Sequence, residues 1–194
     1  MGNAARPIRR PIISSSTGRP NRHAAVTALT SAARFSLRMA PAEAAKRGAV
    51  AGLQLDLPIN TCRLASERLC ARLGPDEWLL IAPEPDDDEL RRTIAGELAG
   101  SLFALVDVGH RHVAFRVDGD HAADIINGGC PLDLDDACFP AGSATRTLLG
   151  KAEIVLIRPG PARVYRVECG RSFAPYVHGF LNEVAREFSA VVPG

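Results

Sequence analysis

Apolar and polar residues in this 194-residue chain change period repeatedly, and the changes mark short strands alternating with short helices. Phe35 and Leu37 alternate with Ser36 and Arg38, which predicts a half-buried strand over 35–38. Pro41 fits the first turn of a helix, where its missing N–H costs nothing, and Gly48 closes that helix behind Glu43, Lys46 and Arg47. An apolar-rich strand from Val50 to Leu57 stops at Pro58. Residues 59–70 show little pattern and read as a connection. Leu69–Leu73 and Trp78–Ala82 read as strands around the turn at Gly74-Pro75-Asp76-Glu77.

The run Asp86, Asp87, Asp88, Glu89 places negative charge at a helix start, and Leu90, Ile94 and Leu98 form one face of that helix. Leu102–Val108 is the next strand. Val113, Phe115 and Val117 alternate beyond Gly109, Asp120 is the expected N-cap of a helix burying Ala122, Ile125 and Ile126, and that helix ends at Asn127-Gly128-Gly129. A Pro- and Asp-containing loop spans Cys130 to Ser143. Strands follow at Thr147–Leu149, Ala152–Ile157 and Val164–Val167, with Arg158–Ala162 breaking the last two apart. Ser172 is the expected cap of the strongest helix, whose stripe is Phe173, Val177, Phe180, Leu181, Val184 and Phe188; Ala190–Val192 reads as a last strand.

Set out in order, residues 34–108 read strand 35–38, helix 41–47, strand 50–57, strand 78–82, helix 86–98, strand 102–108. Residues 109–192 repeat the series: strand 112–117, helix 120–127, strand 152–157, strand 163–168, helix 172–188, strand 190–192. The expected fold class is therefore α+β, two ferredoxin-like βαββαβ pseudo-repeats forming one compact domain. Weak wording supports the repeat: Phe35 matches Phe115, Gly74-Pro75 matches Gly160-Pro161, and Trp78 matches Val164. A single mixed α+β domain without symmetry is the alternative.

Composition narrows the function classes. A hydrophobic content of 46% with 23% charged residues is that of a globular protein with a core, and no apolar run approaches the roughly 18 residues of a membrane helix. The formal charge of +1 includes five arginines within residues 1–22 (Arg6, Arg9, Arg10, Arg19, Arg22), so the remainder is near −4. A mildly acidic body carries no electrostatic footprint for nucleic acid. The Arg-, Ser- and Pro-rich start predicts a disordered basic tail over residues 1–33, without the apolar core of a secretory signal. Five cysteines without such a signal point to reduced thiols in a cytoplasmic protein. Cys62 and Cys70, like Cys130 and Cys138, are eight residues apart, whereas zinc knuckles space ligands roughly two to four apart.

No catalytic constellation emerges. Phosphate-loop, dinucleotide and nucleophile-elbow patterns are all absent. His110, Arg111 and His112 are the densest polar cluster; strand alternation would put both histidines on one face, and a subunit contact is the reading favoured over a metal. Asp107 beside them is expected to pair with Arg111 or a histidine. Arg146, Lys151, Arg158 and Arg171 bracket the later strands, and Arg146, Lys151 and Arg171 could grip an anionic cofactor tail. Trp78 is expected in a core, and the acids at Asp133–Asp136 as solvated loop groups.

Five separated phrases, LGPDEWLL, VDVGHRHVAFRV, NGGCPLDL, TRTLLGKAEIVL and VECGRSFAPYVHGFL, resemble the gamma-subunit family of heterotetrameric sarcosine oxidases across roughly residues 34–190. That family is similar in fold to the folate-binding aminomethyltransferases. The resemblance implies a non-catalytic subunit of an αβγδ complex. Such a complex converts sarcosine, tetrahydrofolate and oxygen to glycine, 5,10-methylenetetrahydrofolate and hydrogen peroxide. It further implies no cofactor in this chain, with FAD, FMN and NAD in the large alpha and beta partners and zinc in delta. The rival class is a free-standing folate-binding one-carbon enzyme or sensor, with Arg146, Lys151 or Arg171 on the glutamate tail and Asp107 on a pterin proton. A redox or zinc module built on the cysteines is a third.

Overall fold

A computed structural model describes residues 24–189, in which the alternating segments form twelve strands and four helices. Strand β1 (Ala25–Ala28) precedes β2 (Ala32–Met39), then α1 (Pro41–Arg47). Pro41 sits in the first turn of α1, and the N–H of Gly48, at φ +69°, donates to the Ala44 carbonyl to end it. A small hairpin of β3 (Ala49–Val50) and β4 (Leu53–Gln54) follows. Next come β5 (Thr61–Ala65), β6 (Arg68–Gly74), β7 (Glu77–Pro83), α2 (Asp87–Glu97) and β8 (Phe103–Asp107). The second part comprises β9 (His112–Asp118), α3 (Ala122–Asn127), β10 (Ser143–Leu149), β11 (Ala152–Arg158), β12 (Val164–Gly170) and α4 (Ala174–Ser189).

Several expectations are corrected. The single strand over 50–57 is two short ones, because Ala51 (φ +48°) and Gly52 (φ +74°) turn the chain in the left-handed region. Residues 59–70 are not a plain connection: β5 and β6 form a hairpin there around Ser66 (φ +55°). Against a disordered tail expected to reach residue 33, Ala25–Ala28 form β1, which pairs antiparallel with β9 and gains the partner its short AVTA run cannot show by itself; the rest of that expectation, over residues 1–23, lies outside the described residues. Helix α3 starts behind His121 rather than Asp120, without a side-chain cap. Ser172 lies inside a single 3-10 turn, Arg171–Phe173, whose fixed geometry carries the chain from β12 into α4. The expected strand 190–192 falls outside the described residues.

Ten strands form one sheet in the order β1-β9-β12-β11-β10-β5-β6-β7-β2-β8. Across a flat sheet, β2 and β12 would stand six strand spacings apart, about 29 Å at roughly 4.8 Å each. Arg34 of β2 nonetheless lies 2.8 Å from Glu168 of β12. The sheet must therefore curl until its two ends face each other, as long twisted sheets do. Each strand then has an outer face under helices and an inner face toward the opposite half.

Side-chain alternation sorts residues accordingly. Phe35, Leu37, Trp78 and Leu80 join Leu90 and Ile94 of α2 and Leu98 at its C-terminal cap in one outer core. Phe115, Val117, Tyr165 and Val167 join Ile125 of α3 and Val177 and Leu181 of α4 in the other. Ala24 belongs to this second core, with Val26 and Ala28 of β1 against it, so the N-terminal strand serves the later half of the chain. Between the halves Leu69, Ala71, Leu79 and Ile81 meet Ala144, Val155 and Ile157. Among the described residues no helix is long and apolar enough to cross a membrane.

Candidate functional site: the seam between the sheet halves

Beyond that apolar plug the inner face turns polar. Arg34 and Glu168, 2% and 1% exposed, form a buried ion pair whose second carboxylate oxygen accepts from Nε of Arg166 at 2.6 Å. A second bridge repeats the plan: Glu77 of β7 accepts from Arg38 of β2 at 3.0 Å and from both terminal nitrogens of Arg146 on β10. Each glutamate is thus shared by two arginines, and each bridge joins β2, or the strand next to it, to the other half. Burial alone would raise the Glu168 pKa, but the charges and hydrogen bonds of Arg166 and Arg34 hold it below the ordinary carboxylate value.

A cleft of about 580 Å³ opens beside these bridges, with Glu77, Arg111, His112, Arg146, Glu168 and Gly170 among its walls. His112 starts β9 directly opposite Gly170 of β12. Burial, ahead of its charged neighbours, lowers the His112 pKa below the usual imidazole value, so the ring is neutral at pH 7. Its Nδ1 is buried without a hydrogen-bond partner.

The residues singled out from sequence are divided by the structure. Arg111 and His112 reach the cleft, but His110 lies exposed in the turn before β9, so the two histidines do not share a strand face. Asp107 accepts from Arg91 at 3.2 Å and from the Gly109 N–H at 2.8 Å. Arg146 lines the cleft in its pair with Glu77, whereas Lys151 stands over the Tyr176 ring on the helix side, 5.0 Å from its centroid. Arg171 opens the 3-10 turn, its N–H on the Arg111 carbonyl at 2.7 Å. Arg158 is buried and donates to Asp136 at 2.6 Å, so the loop acids are not all merely solvated. Trp78 is fully buried, its Nε1–H on the Leu55 carbonyl. Burial pushes the thiols of Cys62 and Cys169 up to about 12 and that of Cys70 higher, while Cys138 is exposed. No group of three or more His, Cys, Asp or Glu residues suited to a metal occurs among the described residues.

Sequence reading missed Arg34, Arg38, Glu77, Arg166 and Glu168. Each sits in a polar slot of a strand alternation, where solvent and an opposing half leave the same signature. The available signal was density: β12 interleaves Arg166 and Glu168 with Tyr165, Val167 and Cys169.

The fold defines the class first. It is an α+β, sheet-dominated architecture, matching a chain of the heterotetrameric sarcosine oxidase from Corynebacterium sp. U-96 in complex with pyrrole 2-carboxylate, with a TM-score of 0.78 and 24% identity over 91% of this chain and 90% of that one. It also matches the glycine cleavage system aminomethyltransferase T of Bartonella henselae, with a TM-score of 0.64 and 13% identity over 82% of this chain and 45% of that one. A family model described as sarcosine oxidase, gamma subunit family, covers residues 38–187, and the chain belongs to that family. The sarcosine oxidase gamma subunits of Corynebacterium sp. (strain U-96) and Arthrobacter sp. are 30% and 28% identical to it over 118 and 141 residues, or 61% and 69% of this chain. Those matches span 56% and 66% of the relatives' own lengths.

Proposed function

We propose that this chain is the gamma subunit of a heterotetrameric sarcosine oxidase, with an assembly role and no catalytic residue of its own. Family membership over residues 38–187 carries the reading. The seam adds to it, because Glu168 and Glu77 each pair with an arginine of the opposite half, Arg34 and Arg146. The halves are read as βαββαβ pseudo-repeats, on the ground that strand order runs β8-β2-β7-β6-β5 from one end and β1-β9-β12-β11-β10 from the other, with β1, from before the first half, standing beside β9 as β8 stands beside β2. In this reading alpha, beta and delta partners hold FAD, FMN, NAD and zinc and carry sarcosine oxidation with methyl transfer to tetrahydrofolate in the cytoplasm. The exposed turn at His110 is the proposed subunit contact, with Arg111 and His112 behind it on the cleft.

Co-expression with the partner subunits tests this. The chain should copurify with them in a defined ratio and aggregate when made alone; a monodisperse monomer that ignores them overturns the proposal. A folate-binding one-carbon role is the second reading, favoured by the fold likeness to aminomethyltransferase. It requires heat on titrating tetrahydrofolate into the chain, lost when Arg146, Lys151 and Arg171 are replaced.

A further inference from the structure

Gly170 occupies an inner-face position, between Glu168 and the 3-10 turn, where every other residue type would project a side chain. A Cβ built there meets no atom within 4 Å, so the absent side chain leaves open space rather than a close approach of backbone. The cleft of about 580 Å³ that Gly170 helps line falls within the range of roughly 300–1,000 Å³ used by small-ligand sites.

Its donors are of one kind. The buried, unpartnered Nδ1 of His112 would leave an N–H orphaned if it held the proton, and an orphaned buried N–H is rarer and costlier than an unused acceptor. The proton of the neutral ring is thereby assigned to Nε2, and His112 itself lines the cleft. Next to it Arg111 is exposed and makes no side-chain ion pair among the described residues, while its carbonyl is pinned by the Arg171 N–H. Two of the three wall acids, Glu168 and Glu77, are each already shared by two arginines, which leaves Glu153 at the rim as the wall acid without an ion pair among the described residues. The charged residues lining the cleft, Arg111 and Arg146 against Glu77, Glu153 and Glu168, sum to −1, and their ion-pair partners Arg34, Arg38 and Arg166, less Asp76, bring the cluster to +1. At the mouth, Leu148 and Phe173 stay 45% and 40% exposed, apolar surface that an inorganic anion could not use.

We propose that the cleft over Gly170 binds a small organic carboxylate with an apolar body. Arg111 is its counter-ion, Nε2–H of His112 its second donor, and Leu148 and Phe173 the contacts of the hydrocarbon part. The site stands independently of the subunit reading, because all of its groups belong to this chain.

Calorimetric titration of the full-length chain, co-expressed with its partners where it precipitates alone, tests the site with benzoate, its neutral isostere benzamide and inorganic phosphate. Benzoate should bind, with benzamide and phosphate at least tenfold weaker. Arg111→Ala should weaken benzoate at least tenfold. Gly170→Leu should abolish the same heat at an unchanged melting temperature; Glu153→Gln, which removes a rim acid, should tighten binding. Absence of benzoate heat overturns the proposal, as does equal binding of benzamide, or benzoate binding that survives both Arg111→Ala and Gly170→Leu. If Gly170→Leu lowers the melting temperature, the exposed Arg111→Ala variant alone decides.

Discussion

On the outer face of the curled sheet, Phe35, Trp78 and Leu80 in one half and Phe115, Tyr165 and Val167 in the other lie beneath helices and depend on volume. On the inner face the same strands present Arg34, Arg38, Glu77, Arg166 and Glu168, which depend on charge being matched across the seam. The contrast shows two ways of burying one sheet. Shape complementarity binds helix to strand, tolerating modest change in proportion to the lost volume. A buried ion pair adds little when intact relative to an apolar pair, yet breaking one partner is costly, so it acts as a condition on how the halves meet.

The largest effects should come from one deep residue on each face. Trp78→Ala should lower unfolding free energy by about 3–5 kcal/mol, through a cavity and the lost Nε1 bond. Glu168→Ala should cost a similar ~3–5 kcal/mol by stranding Arg34 and Arg166. Denaturant titration distinguishes the mechanisms: adding Arg34→Met and Arg166→Met to a Glu168→Leu chain should restore most of the loss, whereas no polar substitution rescues Trp78→Ala. If the triple variant remains as unstable as Glu168→Ala, the seam is held by shape and the contrast between faces fails.

Glu77→Gln should be milder, about 1–2 kcal/mol, because Arg38 and Arg146 are half exposed and can turn to water. Acid should act on the same faces in two steps. Burial lowers the pKa of His112 and His178, so the unfolded chain takes these protons first, and their stabilisation, complete above the ordinary value of 6.5, drains away as pH falls below it. Glu168, held below its ordinary 4.5, loses its contribution only as pH falls further, through its folded-state value. Thermal midpoints should therefore climb from about pH 5 to about pH 7.5, and His112→Gln should flatten that slope. Smallest of all, Leu148→Ser and Phe173→Ser should stay within about 0.5 kcal/mol of the parent chain.

The outer face was legible in the sequence because helical period leaves a one-sided stripe: Leu90 and Ile94 in α2, Leu98 at its C-terminal cap, and Val177 and Leu181 in α4 all lie where the pattern placed them. Strand β5 was not, since Arg63, Leu64 and Ala65 are exposed and no alternation betrays it. The inner face was hidden more deeply, because period-two alternation cannot distinguish water from a facing half-sheet. Register suffered likewise. Matching Trp78 to Val164 puts them on one face, but Tyr165 shares Trp78's helix side, because the turn after Gly160-Pro161 is one residue longer than that after Gly74-Pro75.

Strand β1 has a consequence for synthesis. Ala25 pairs with Asp118, about ninety residues later in the chain, and β9 is the strand that β1 pairs with in the sheet. At translation rates of roughly 5–20 residues per second, this segment leaves the ribosome some 5–20 s before its partner exists. Among the described strands β1 is thus made first yet docks only after β9 exists, and the later half takes up an early segment to complete its sheet.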